Sequence, residues 1–327
     1  MTWALRVLPW HEGPMEDLGN RFDTERLSHA LLIAGRRYTG KSTFARALAA
    51  RVLCDSPGLG ACGRCSECLL IEARTHPDLM DIEPVESKQI RVEQIRSLLL
   101  WMRGTPQRGG YRVVVLRPAH AMNATSANAL LKGLEEPGRD SLLLLVTDQP
   151  GRLLPTVRSR CQRVELPLPD VSEGLAWLRD QRGVQAQGEE DELLLHISNG
   201  SPVEALVRGQ DGFINRRAEV YQLLRNIAHG ASTLDVAAQL ARMDGLEVVE
   251  LWSGLLLDIV RAAAGADGHC RNWDQRDLVR ALAGAAEPTE LAAFADELNE
   301  ASQALSGPSN PNPQLLFEHL IYAWSNL

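Results

Sequence analysis

No apolar run in the 327-residue sequence approaches the roughly 20 residues that a membrane-spanning helix needs, so a bilayer-embedded function is set aside first. The opening Met1-Thr-Trp-Ala-Leu-Arg6 lacks the basic segment and apolar core of a secretory leader, and the expected location is cytoplasmic. Internal repeats, heptad runs and low-complexity segments are also lacking, which removes solenoids, coiled coils and long flexible tails from consideration. What remains is an ordinary globular composition, 45% hydrophobic and 23% charged, in a chain long enough for two or three domains.

Charge is unevenly spread. Residues 1–165 hold 23 Lys and Arg against 18 Asp and Glu, a net +5, whereas residues 166–327 hold 11 against 24, a net −13. A basic excess of this size suits contact with a phosphate backbone and equally suits a plain solvated surface.

The basic part carries Gly35-Arg-Arg-Tyr-Thr-Gly40-Lys41-Ser42, a complete G-x-x-x-x-G-K-[ST] phosphate loop. His29 to Ile33 ahead of it reads as a buried strand and Thr43 to Leu53 behind it as a helix, the setting the motif requires. Backbone N–H groups of such a loop converge on phosphate at a helix N-terminus, Lys41 reaches the β and γ oxygens, and the Ser42 hydroxyl faces Mg²⁺. Gly35, Gly40, Lys41, Ser42 and Thr43 are therefore the candidate residues for ATP or ADP.

Around the loop, the spacing predicts a first helix near Pro14 to Arg26 and strands over 78–82, 111–116, 141–146 and 161–166. Helices are expected over 92–103 and 123–135. Unbroken apolar strands alternating with helices imply a parallel sheet covered on both faces. After Pro169 the strand signals stop. Short helices are expected over 170–182, 190–198 and 201–208. Longer ones follow over 214–229, 233–242, 247–264, 276–283, 289–305 and 314–325, with Gly209-Gln-Asp-Gly212 as the joint between the two sets.

Cys62-x-x-Cys65-x-x-Cys68, with Cys54 just upstream, gathers four soft ligands with no open position, the description of a structural zinc site. An iron–sulfur cluster competes, but the ferredoxin run wants a further Cys three residues on and then Pro, whereas Leu69-Leu-Ile71 follows here. An enzyme using zinc with an incidental phosphate loop would need an open metal position.

One more lack is decisive. A phosphate-loop ATPase needs acids after its third strand to hold Mg²⁺ and polarise water, and Arg117-Pro118 stand there instead. Glu135 and Glu136 lie at the far end of the next helix, and His120 reads as a packing or surface residue. Arg160, expected at the start of the fifth strand, reads either as a solvated or ion-paired side chain or, in an oligomer, as an arginine reaching a neighbour's γ-phosphate.

Over essentially its full length the sequence resembles the AAA+ clamp-loader subunits of bacterial DNA polymerase III. The resemblance is carried by the phosphate loop with its Cys54/Cys62/Cys65/Cys68 insert, by Asn128-Ala-Leu-Leu-Lys-Gly-Leu-Glu-Glu-Pro137, by the strand ending at Thr147 and by Ser159-Arg160-Cys161. It implies an α/β AAA+ core over 1–167 with a zinc module at 54–68, a helical lid over 168–210 and an all-α collar over 211–327. The family holds an ATP-hydrolysing tau/gamma branch and a non-hydrolysing one. Arg117-Pro118 replace the hydrolysing branch's acid pair, and Val203 stands where its lid arginine belongs, so the departures fit the non-hydrolysing branch. The implied role is a rigid ring member of the DNA polymerase III holoenzyme that supports ATP-dependent loading of the sliding clamp onto primer-template DNA, offering Arg160 to a tau/gamma neighbour beside a delta subunit. Zinc would be structural, nucleotide with Mg²⁺ would be held without hydrolysis, and Ser126 and Asn128 would face DNA while Leu130, Leu131 and Leu134 form core. The alternative is an ATP-hydrolysing tau/gamma-type subunit.

Overall fold

A computed structural model describes residues 5–85, 88–183, 188–210, 212–266, 268, 270–307 and 311–327. Residues 1–4, on which the leader reading rests, and Asp211 in the expected joint lie outside the described residues. Two compact units divide the chain, Met1–Pro169 and Asp170–Leu327.

In the first unit five strands, β1 Ala30–Ala34, β2 Leu79–Ile82, β3 Arg112–Leu116, β4 Ser141–Thr147 and β5 Gln162–Glu165, form one parallel sheet in the order β2-β3-β4-β1-β5. Helices α1 Glu12–Asp23, α2 Lys41–Leu53, α3 Ser66–Glu72, α4 Val92–Met102, α5 Ala124–Glu135 and α6 Pro155–Arg158 accompany it. Alternation along the strands splits the core in two. Leu31, Ile33, Val113, Val115, Leu142 and Leu144 face α1 and α2, while Leu32, Val114, Leu116, Leu143 and Leu145 face α4 and α5. The three central strands are buried along their whole length, which is why they carry no polar alternation in sequence.

Buried Arg51 of α2 fastens this half, donating to both Asp23 oxygens at 3.2 and 2.7 Å and to the Gly58 carbonyl at 3.2 Å. Helix starts follow capping chemistry: Asn123 Oδ1 accepts from the Ser126 N–H at 2.9 Å, and in the second unit Asp170 and Asp244 cap their helices likewise.

Two elements depart from the sequence expectation. Residues 66–72 form α3, a helix that the sequence expectation did not include, and Cys68 sits on it. Residues 155–158 form α6, and Arg160 lies in the turn after it, two residues ahead of β5, not on a strand edge. Pro155 at the first helical position stops the run from reading as strand.

The second unit is helical. Helices α7 Val171–Arg182, α8 Gly188–Ile197 and α9 Pro202–Gln210 share a small core of Leu178, Leu194, Leu195 and Ala205. Helices α10 Phe213–Ala228, α11 Thr233–Leu240, α12 Gly245–Ala263, α13 Arg276–Ala283, α14 Pro288–Ser306 and α15 Pro313–Trp324 enclose a larger one. At its centre Trp252 meets Phe294 and Trp324 edge to face, each at 5.5 Å between ring centroids. No described helix is long and apolar enough to cross a membrane.

Candidate functional site

The phosphate loop runs from β1 into α2, so Gly35, Gly40, Lys41, Ser42 and Thr43 lie around one turn at a helix N-terminus. Gly40 adopts φ 85°, a left-handed value that favours glycine, and Leu8 and His11 press on its α-carbon: a Cβ there would stand 2.5 Å from Leu8 Cδ1. Lys41 is buried, its ammonium donating to the Arg36 carbonyl and, at 3.4 Å, to Thr39 Oγ1. Burial lowers its pKa, with the nearby Asp148 carboxylate opposing. His11 packs edge to face on Phe44 at 5.3 Å, and burial brings its pKa down to about 4.

Where catalytic acids would be needed, β3 ends at Leu116 and Arg117 follows. Its guanidinium reaches sideways to Asp81 of β2, Nη2 to Oδ2 at 3.2 Å, and to Glu83. Arg46 of α2 joins the same carboxylates at 2.6 and 3.5 Å. Burial pushes Asp81 up to about 6 although Arg46 works against it. Two guanidiniums and two carboxylates thus neutralise one another at the end of β3.

Beside this cluster the structure brings together residues the sequence kept apart. His120 Nδ1 lies 3.0 Å from Thr147 Oγ1 and 3.2 Å from Asp148 Oδ1. His120 is therefore a partner of the β4 end, and Asp148 is an acid near Lys41 that spacing along the chain did not point to. Only the adjacency of β4 and β1 in the sheet reveals it.

Arg160 is 37% exposed in its side chain. Nη2 meets Glu135 Oε1 at 2.7 Å and Nη1 donates to the Thr156 carbonyl at 3.1 Å. Glu135, the last residue of α5, was legible as an acid but not as this arginine's partner.

The four cysteines converge. Cys54 Sγ is 3.9 Å from Cys65 Sγ, Cys62 Sγ is 3.9 Å from Cys68 Sγ, and all four sulfurs lie within 4.8 Å of one another. Tetrahedral Zn–S bonds would set sulfurs about 3.8 Å apart, so the donor set fits one zinc ion. Backbone N–H groups of Cys62, Gly63 and Cys68 aim at Cys54, Cys68 and Cys65 sulfurs at 3.3, 3.4 and 3.4 Å, as suits thiolates. Behind the cluster Glu67 takes a hydrogen bond from His76 at 3.0 Å and a salt bridge from Arg108 at 2.6 Å. Buried Asp78 accepts from the Gln107 and Arg108 N–H groups, each at 2.8 Å, which holds the segment ahead of β3, and with it the Arg108 that grips Glu67, at the start of β2.

The expectation for α5 needs one correction. Ser126 is buried and its hydroxyl donates to the Ile90 carbonyl at 2.8 Å, so it cannot face DNA, whereas Asn128 is exposed. Leu130 and Leu134 are core and Leu131 is half-buried against it.

A phosphate loop leaving β1, between β4 and β5 in a β2-β3-β4-β1-β5 parallel sheet, followed by helical bundles, defines an AAA+ protein. The family DNA polymerase III, delta subunit, matches residues 10–170, and DNA polymerase III, delta subunit, C terminal, matches residues 211–326. A delta-prime subunit of DNA polymerase III from Pseudomonas aeruginosa is 36% identical over 326 residues, covering 98% of each chain. The Escherichia coli delta-prime subunit is 30% identical over 321 residues, covering 97% of this chain and 95% of that one. The Escherichia coli tau subunit is 34% identical over 194 residues, covering 58% of this chain and 30% of tau. The chain belongs to the delta-prime family of bacterial DNA polymerase III clamp-loader subunits.

Proposed function

We propose that this chain is the non-hydrolysing member of its clamp loader, assembling with tau/gamma and delta subunits to place the sliding clamp on primer-template DNA in the cytoplasm. The observation that carries the reading is the end of β3, where Arg117 stands in place of an acid and is paired with Asp81 and Glu83, so those two carboxylates are not free to hold Mg²⁺. Cys54, Cys62, Cys65 and Cys68 would hold a structural zinc that folds the insert. Gly35, Gly40, Lys41, Ser42 and Thr43 would hold ATP or ADP with Mg²⁺ without cutting it. Arg160 would act in trans on the ATP of a tau/gamma neighbour. Residues 168–210 would serve as lid and 211–327 as collar.

Reconstitution with the partner subunits tests this. Arg160→Ala is expected to leave the chain folded and assembled while lowering DNA-stimulated ATP turnover; unchanged turnover rejects the trans role. The tau/gamma-type alternative draws support from the intact loop and from Asp148 near Lys41. It predicts steady hydrolysis by the isolated chain that Lys41→Ala abolishes.

A further inference from the structure

Resting on the trans reading of Arg160, we propose that Glu135 is a latch on that arginine, masking its charge until a neighbour's nucleotide takes it. Among the described residues the Arg160 guanidinium has two partners, the Glu135 carboxylate at 2.7 Å and the Thr156 carbonyl at 3.1 Å.

Neither end of the pair is loose. Glu135 follows buried Leu134, whose carbonyl is held by His29 Nε2 at 3.0 Å, and the Arg160 N–H donates to the carbonyl of buried Val157 at 3.2 Å. Leu134 and Val157 belong to the same core cluster, so packing of α5 on α6 sets the two charged side chains face to face. Arg160 also lies by the C-terminal end of α5, where the helix dipole adds to the negative potential.

The chemistry of the exchange follows from charge. A guanidinium has five N–H donors in one plane and can serve a phosphate oxygen only with those that are not already committed. The Glu135 carboxylate competes for the same cation and, beside a triphosphate, adds anion to anion. Its side chain is 52% exposed and the pair is screened by water, so the latch is weak by construction. A weak latch can be displaced in every turnover. Glu135 does not touch the reacting atoms; it is a positioning residue acting through Arg160.

Glu135→Gln keeps the length and one acceptor and removes the charge. In the reconstituted, DNA-stimulated assembly it is expected to lower KM for ATP by about two- to fivefold, the range an exposed ion pair commands. The change falls in KM more than in kcat, and it disappears when Arg160→Ala is present. An unchanged or raised KM overturns the latch while Arg160→Ala, by still lowering turnover, keeps the trans role. A KM shift that persists beside Arg160→Ala overturns it too, since Glu135 would then act elsewhere. If Arg160→Ala has no effect at all, the trans reading fails and the latch with it.

Discussion

Arg117 at the end of β3 and Asp81 of β2 form a two-point contact, Nε to Oδ1 at 3.3 Å and Nη2 to Oδ2 at 3.2 Å, in the position where an ATPase of this fold needs free carboxylates. The contact does two things at once. It fastens the edge strand β2 to β3, and together with the Glu83 contact it spends two acids near the β3 end on arginines.

Arg117→Ala should therefore destabilise the first unit without creating an ATPase. Asp81 keeps Arg46 at 2.6 Å, so the carboxylate is not orphaned, and both partners are about one-fifth exposed. The loss expected is about 1–2 kcal/mol, below that of a fully buried pair. Chemical denaturation checks the stability, and a phosphate-release assay on the isolated variant should remain at background.

Much of this was legible beforehand because it is written in short-range pattern. The apolar runs of β1, β3 and β4 and the helical spacing of α4 need no tertiary knowledge, and Cys62-x-x-Cys65-x-x-Cys68 announces its ligand geometry within seven residues. The rest depends on contacts distant in sequence. Asp81 and Arg117 lie 36 residues apart, and Asp148 approaches the loop only because β4 pairs with β1. Ser126 looked like a polar helix start available to DNA, but Ile90 claims its hydroxyl. Helix α3 was hidden because a metal-ligand spacing was read in place of a helical one, although Cys65 caps that helix by accepting from the Cys68 N–H.

The cysteine cluster should carry one zinc per chain and no iron. Cys68→Ser is expected to lose most of that zinc, and with it the anchoring of α3, so that Glu67 no longer holds His76 and Arg108. Elemental analysis gives the stoichiometry. Hydrogen exchange should show faster exchange in 62–76 and 103–110, with β1, β3 and β4 unaltered. Full zinc content in the variant, or visible iron–sulfur absorption in the parent, would contradict the assignment.

Gly40→Ala should be more damaging than an alanine elsewhere in a loop. The added Cβ would meet Leu8 Cδ1 at 2.5 Å and His11 Cε1 at 3.0 Å, and φ 85° is itself unfavourable for alanine. A cost of about 1–3 kcal/mol is expected, together with release of the segment around Leu8 to His11. Limited proteolysis after Leu8 or Trp10 reads the release directly, and an unaltered cleavage pattern would show that the segment does not lean on the loop.

That same segment gives the protein a dependence on acid. His11 has a folded pKa of about 4 against an unfolded value near 6.5, so below 6.5 the unfolded chain takes up a proton that the folded chain refuses. Its contribution is present above pH 6.5 and is lost as pH falls through 4; between pH 7 and 5 the loss is about 2 kcal/mol. Asp81 works in the opposite sense. Its folded pKa of about 6 lies above the unfolded carboxylate value, so its contribution grows as pH falls below 6. The two partly cancel in the parent, and the variant separates them. His11→Phe keeps an aromatic ring against Phe44 and removes the titration, so its melting temperature should drop less between pH 7 and 5 than the parent's, or rise. Parallel melting curves for the two proteins across that interval would mean that His11 is not held neutral by its burial.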